Sequence, residues 1–124
     1  MGLESSFQNK VLRYLNSLPN CRAENVSGNA MQSGRPDING CYKGRMFKLE
    51  LKVPDHKNEA SVKQRLTLRK WASAGCAVGI LYSMKSLKEF MKVLMEPMDV
   101  DDFQAFLPEE NGCESWFRIE RICF

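Results

Sequence analysis

Pro36-Asp37-Ile38-Asn39-Gly40-Cys41-Tyr42, then Lys43-Gly44, then Arg45-Met46-Phe47-Lys48-Leu49-Glu50-Leu51-Lys52-Val53 is the stretch that decides the fold. Lys43-Gly44 reads as a tight turn, because Gly accepts a positive φ at little cost. With a two-residue loop there, 42 faces 45, 40 faces 47 and 37 faces 50. Asp37 and Glu50 then stand opposite each other, with Cβ atoms roughly 5 Å apart. Phe47, Leu49, Leu51 and Val53 alternate to one side, joined by Ile38, Gly40 and Tyr42. Lys48, Glu50 and Lys52 alternate to the other, joined by Asp37, Asn39 and Cys41. One face builds core, and the other presents two acids and two lysines.

Two carboxylates placed opposite each other repel unless a cation sits between them. A hard divalent ion such as Mg²⁺ suits oxygen ligands of this kind, and Lys52 lies two residues further along the same face. The same alternation is equally that of an ordinary solvated strand face, since outward faces of antiparallel sheets commonly carry Glu and Lys.

Outward from the hairpin, residues 4–18 read as an amphipathic helix. Phe7, Val11, Leu15 and Leu18 form its stripe, Leu12 and Tyr14 flank it, and Pro19-Asn20 ends it. Residues 21–26 suit a short strand and 27–36 a polar loop. Pro54 stops the second hairpin strand, and a charged loop follows to residue 60. Ser61 opens a helix with Gln64 three residues later, the capping-box spacing. Val62, Leu66 and Trp71 mark its buried side, Lys63, Arg65, Arg69 and Lys70 its other side, and Gly75 its C′ position. Ala77 to Tyr82 is a short apolar run expected to form a buried strand, reached by a right-handed parallel crossover. Ser86 and Glu89 are expected to cap another helix, with Leu87, Phe90, Met91 and Leu94 on its apolar face. Met84, Met91, Met95 and Met98 suit core or interface filling. Residues 99–107 suggest a short helix and 116–124 a terminal strand. The order predicts one α/β domain over residues 1–124, with a mixed central sheet and helices on both faces.

The 124 residues suit one core, and the balance of 44% hydrophobic and 27% charged residues is that of a globular chain. No apolar run approaches the ~20 residues that span a bilayer. The start, Met1-Gly2-Leu3-Glu4, lacks the layout of a signal peptide, so no membrane partner and a cytoplasmic location are expected. The five cysteines contain no CxxC pair and His56 is the single histidine, which argues for reduced thiols and against a zinc site. His56 itself, in a charged loop, reads as an exposed residue without a catalytic role. Net charge is +3, divided as +9 over residues 1–95 and −6 over 96–124. The basic body suits an anionic partner, nucleic acid foremost.

Taken in order, Glu4 opening the first helix, Gly34-Arg35-Pro36-Asp37, Glu50-Leu51-Lys52, Gln64 on a capped helix and the strand after Gly75 resemble a stand-alone virus-type replication–repair nuclease (VRR-NUC) domain, a branch of the PD-(D/E)xK nuclease superfamily. The likeness spans residues 4 to about 83, within a core of about 4–95, and leaves the acidic extension 96–124 outside it. It implies a restriction-endonuclease-like core similar to Holliday-junction resolvases. The activity implied is a Mg²⁺-dependent endodeoxyribonuclease, structure-specific on branched DNA such as Holliday junctions, and working as a homodimer without a small-molecule cofactor. Asp37 and Glu50 would bind Mg²⁺, with Mn²⁺ able to substitute, helped by the Leu51 carbonyl and, directly or through water, by Glu4. An acid such as Glu4 also suits a first helical turn through the macrodipole alone. Lys52 would hold or activate the attacking water, and Gln64 would orient Lys52 or contact the scissile backbone. Arg35, Lys63, Arg65 and Arg69 would meet phosphates. The alternatives are a non-catalytic nucleic-acid-binding module, a nuclease acting on flaps or nicked duplex, or a protein-interaction domain.

Overall fold

The computed structural model describes residues 3–26, 36–52, 61–96, 104–108 and 114–118. Helix α1 (Leu3–Ser17) leads into strand β1 (Cys21–Asn25) and the hairpin of β2 (Ile38–Tyr42) and β3 (Arg45–Leu51). Helix α2 (Val62–Ser73), strand β4 (Ala77–Leu81), helix α3 (Met84–Met95), and strands β5 (Gln104–Pro108) and β6 (Glu114–Arg118) follow. The strands form one mixed sheet in chain order, flanked by helices. β1–β2, β2–β3 and β5–β6 run antiparallel, and β3–β4 and β4–β5 run parallel.

The hairpin takes the expected register. Gly40 faces Phe47 and Ile38 faces Leu49, around a turn in which Lys43 and Gly44 have φ of 46° and 85°. Positive φ at both central residues is the turn geometry that matches strand twist. Gly40 is required for a second reason: a Cβ there would lie 2.1 Å from Cζ of Phe47, whose ring occupies the space over the glycine.

The apolar side of the hairpin forms the core. Phe47, Leu49, Leu51 and Ile38 are fully buried beneath Val11 and Leu15 of α1 and Leu87, Phe90 and Leu94 of α3. Phe90 meets Phe47 edge to face, with centroids 6.1 Å apart. Two polar anchors tie the helices down. Asn16 bonds the N–H and carbonyl of Ala23 at 2.8 and 3.0 Å, satisfying the outer edge of β1 as a neighbouring strand would. Arg45 donates to the carbonyls of Leu94 and Glu96, closing the C-terminal end of α3.

Four expectations are corrected. The buried side of α2 is Leu68 and Ala72, whereas Val62, Leu66 and Trp71 are 69%, 43% and 42% exposed. Gln64, Leu68 and Ala72 recur every four residues and turn together to the sheet, and that seating leaves the Val62 and Leu66 stripe outward. Ser83, not Ser86, is the N-cap of α3, its hydroxyl accepting from the Ser86 amide at 3.1 Å, and Ser86 and Glu89 lie within the helix. Residues 104–107 are strand rather than helix, because Ala105 and Phe106 pair with Val78 and Gly79 of β4. The final strand lies at 114–118, its pairing with β5 starting at Glu114; residues 99–103 and 119–124 lie outside the described residues. Among the described residues no helix is long and apolar enough to cross a membrane.

A buried acid–lysine–glutamine cluster at the candidate active site

The polar side of β3 is not solvated. Lys48, Glu50 and Lys52 are 6%, 2% and 8% exposed, because α2 lies across that face. An ordinary solvated strand face does not bury three successive charged positions, since burying a charge is costly unless it is paired and hydrogen-bonded.

Each charge in this row has a partner. Gln64 donates from Nε2 to Oε1 of Glu50 at 2.8 Å. The ammonium of Lys52 stands 3.7 Å from the same oxygen. Asp37, half-buried at the entrance to β2, accepts the Leu51 N–H on Oδ2 at 2.8 Å, and its carboxyl shares a hydrogen bond with that of Glu50. Its own carbonyl accepts from Val26 at 2.9 Å, which ties it to the end of β1. Burial pushes the Asp37 carboxyl above its usual range, while the Leu51 amide, Glu50 and Lys52 pull it back.

Backbone geometry places Leu51 in the same cluster. Lys52 donates its amide to Leu81 on the β4 side at 2.9 Å, so the Leu51 amide points the other way, to Asp37. The N–H and C=O of one strand residue share an edge, so the Leu51 carbonyl lies on the Asp37 side. Asp37, Glu50 and this carbonyl are a set of hard oxygen donors converging at one end of the hairpin, the donor chemistry that suits Mg²⁺. A divalent cation held there would offset the repulsion between the two carboxylates. Among the described residues no three His, Cys, Asp or Glu side chains form a metal-holding group.

Gln64 was open to two readings, cap or site residue, and its side chain serves both. Oε1 accepts from the Ser61 amide at 2.9 Å while the Ser61 hydroxyl accepts from the Gln64 amide at 3.1 Å, a complete capping box. Nε2 is left to reach Glu50. Of the other expected residues, Lys63 and Arg69 are exposed and Arg65 half-buried on α2. Glu4 lies in α1, with its side chain outside the description, and Arg35 and His56 lie outside the described residues altogether.

Two residues beside the cluster carried other expectations from sequence, Lys48 as one of two lysines on the polar face and Trp71 as core. Lys48 inserts its ammonium over the ring of Trp71, 4.0 Å from the centroid. The signal for Lys48 was present in its position two residues before Glu50 on the same strand face.

The site belongs to an α/β domain with a mixed sheet flanked by helices. No protein-family model matches the chain, and no curated protein or solved structure matches it.

Proposed function

We propose that this protein is a metal-dependent DNA endonuclease with a restriction-endonuclease-like, Holliday-junction-resolvase-like core, hydrolysing phosphodiester bonds in branched DNA. The observation that carries the reading is the buried cluster in which Asp37, Glu50, Lys52 and Gln64 meet on one covered face of the hairpin. Its order along the chain is that of the PD-(D/E)xK pattern to which the sequence is similar.

In this reading Asp37, Glu50 and the Leu51 carbonyl would hold Mg²⁺ or Mn²⁺, and Glu4 would add to them, directly or through water. The bound ion supplies a more acidic water and a counter-charge for the phosphate. Lys52 holds the attacking water and balances charge on the phosphate, as a compact ammonium beside a carboxylate can. Gln64 fixes the Glu50 carboxylate, and the exposed Lys63 and Arg69, with Arg65 and Arg35, receive the DNA backbone. The working unit is a homodimer, which would place two such sites about a two-fold axis. The location is the cytoplasm.

The burial of Glu50 favours one second reading, a nucleic-acid-binding module whose acids are structural. Cleavage of a labelled Holliday junction beside matched linear duplex, with Mg²⁺, Mn²⁺ or EDTA, separates the two. Paired nicks that need metal and spare the duplex are expected. A junction bound but uncut under every metal would transfer the function to binding.

A further inference from the structure

Trp71 stands out because its two sides differ. Lys48, only 6% exposed, places its ammonium 4.0 Å from the ring centroid, while Trp71 itself is 42% exposed. The buried cation occupies one face of the ring, and the residue as a whole keeps a large area open to solvent. Trp71 lies seven residues beyond Gln64 on α2, about 10 Å along the helix axis. On the sheet, Lys48 precedes Glu50 by two residues, about 7 Å along the strand. The indole therefore shares the candidate site's face, next to the exposed Lys70, one helical turn from Thr67 and two from the exposed Lys63.

We infer that Trp71, backed by Lys48, is a stacking platform for an unpaired nucleobase of the substrate. The inference deepens the nuclease reading and rests on it for the strand that passes the site. A cation beneath the ring draws its π electrons inward and leaves the outer face a better partner for an electron-rich base. Every base has such a face, so the contact tolerates sequence. A base inside a continuous duplex has both faces covered by its neighbours, so the platform selects strands that are unpaired near a branch, flap or nick. At stacked spacing, 10 Å along the helix corresponds to about three nucleotides from the phosphate at Glu50.

The test uses the full chain in EDTA, which removes cleavage from the measurement. With Trp116→Phe as background, Trp71 is the sole tryptophan. Oligo(dT) is expected to quench its fluorescence, and a blunt duplex of the same length is not. Replacing Trp71→Ala should weaken oligo(dT) binding by about 5- to 150-fold and leave duplex binding within about twofold. Trp71→Tyr should keep most of the single-strand affinity, and thermal melting identifies any variant that fails to fold. A purely structural Trp71 would lower melting temperature and weaken both ligands in parallel, and that result overturns the platform. Equal quenching by duplex and single strand overturns it too. Metal-dependent junction cleavage without quenching sinks the platform and spares the nuclease. Quenching with no cleavage under any metal does the reverse.

Discussion

Gln64 Nε2 donates to Glu50 Oε1 at 2.8 Å while Oε1 of the same side chain caps its own helix through Ser61. One residue thus couples the start of α2 to the acid on β3, and the two roles can be separated. Ser61→Ala removes a cap acceptor and should cost about 1 kcal/mol of stability with little effect on cleavage. Gln64→Glu keeps a cap acceptor but sets a second carboxylate against Glu50, so cleavage should fall while the helix persists. Gln64→Ala should lose both, with about a 10- to 100-fold drop in activity. Melting and cleavage rates on the three variants test the coupling. Equal activity in Gln64→Glu and wild type would mean that the Glu50 contact does not matter.

Asp37 is held at a cost to folding. Burial raises its carboxyl above the ordinary aspartate value of 3.8, so the folded state keeps this proton after the unfolded chain has released it. Below pH 3.8 both states are protonated and the residue does not penalise folding. As pH rises from there through the raised value, the stability it contributed is lost. Asp37→Asn should therefore melt higher than wild type near neutral pH and the two should converge in acid, while cleavage disappears. Metal reverses the comparison. Mg²⁺ at a hundred times its Kd should stabilise wild type by about 2.7 kcal/mol and Asp37→Asn far less. An Asp37→Asn protein with unchanged melting across pH would contradict the burial argument.

Gly40 should tolerate no side chain. A methyl group there meets the Phe47 ring, which is also packed edge to face with Phe90, and Gly40→Ala should cost about 1–3 kcal/mol in denaturant melts. Gly40→Ala combined with Phe47→Leu should recover part of that loss by giving the methyl group room. Equal stability of Gly40→Ala and wild type would place the ring elsewhere.

Cys76 is buried just ahead of β4, and that burial, with Cys41 nearby, pushes its thiol up to about 11 against the pull of the Lys48 ammonium. At pH 8 roughly one molecule in a thousand carries the thiolate. Iodoacetamide should leave Cys76 unmodified in the native protein and modify it after denaturation, read by peptide mass. Rapid native labelling would show that α2 opens away from the sheet.

Much of the hairpin is local chemistry and was legible residue by residue. Lys43-Gly44 set the turn, the turn set the register, and alternation assigned Phe47, Leu49 and Leu51 to the core. Ser61 and Gln64 marked the start of α2, and Gly75, with φ of 100°, marked its end. What lay beyond local pattern was decided by long-range partners. The alternation of Lys48, Glu50 and Lys52 is the same for a wet face and a covered one, and the cover, α2, comes ten or more residues later. The helix carries two competing stripes, Val62 with Leu66 and Leu68 with Ala72, and only its seating against the sheet chose between them. Residues 104–107 suit helix or strand until β4 offers an unpaired edge, whose backbone groups take β5 into the sheet. Turns and caps are settled by residues a few positions apart, so the sequence determined them by itself. Which charged face is buried, and which acid meets which amide, depends on free energies shared between segments distant in the chain, and only the tertiary structure decides those.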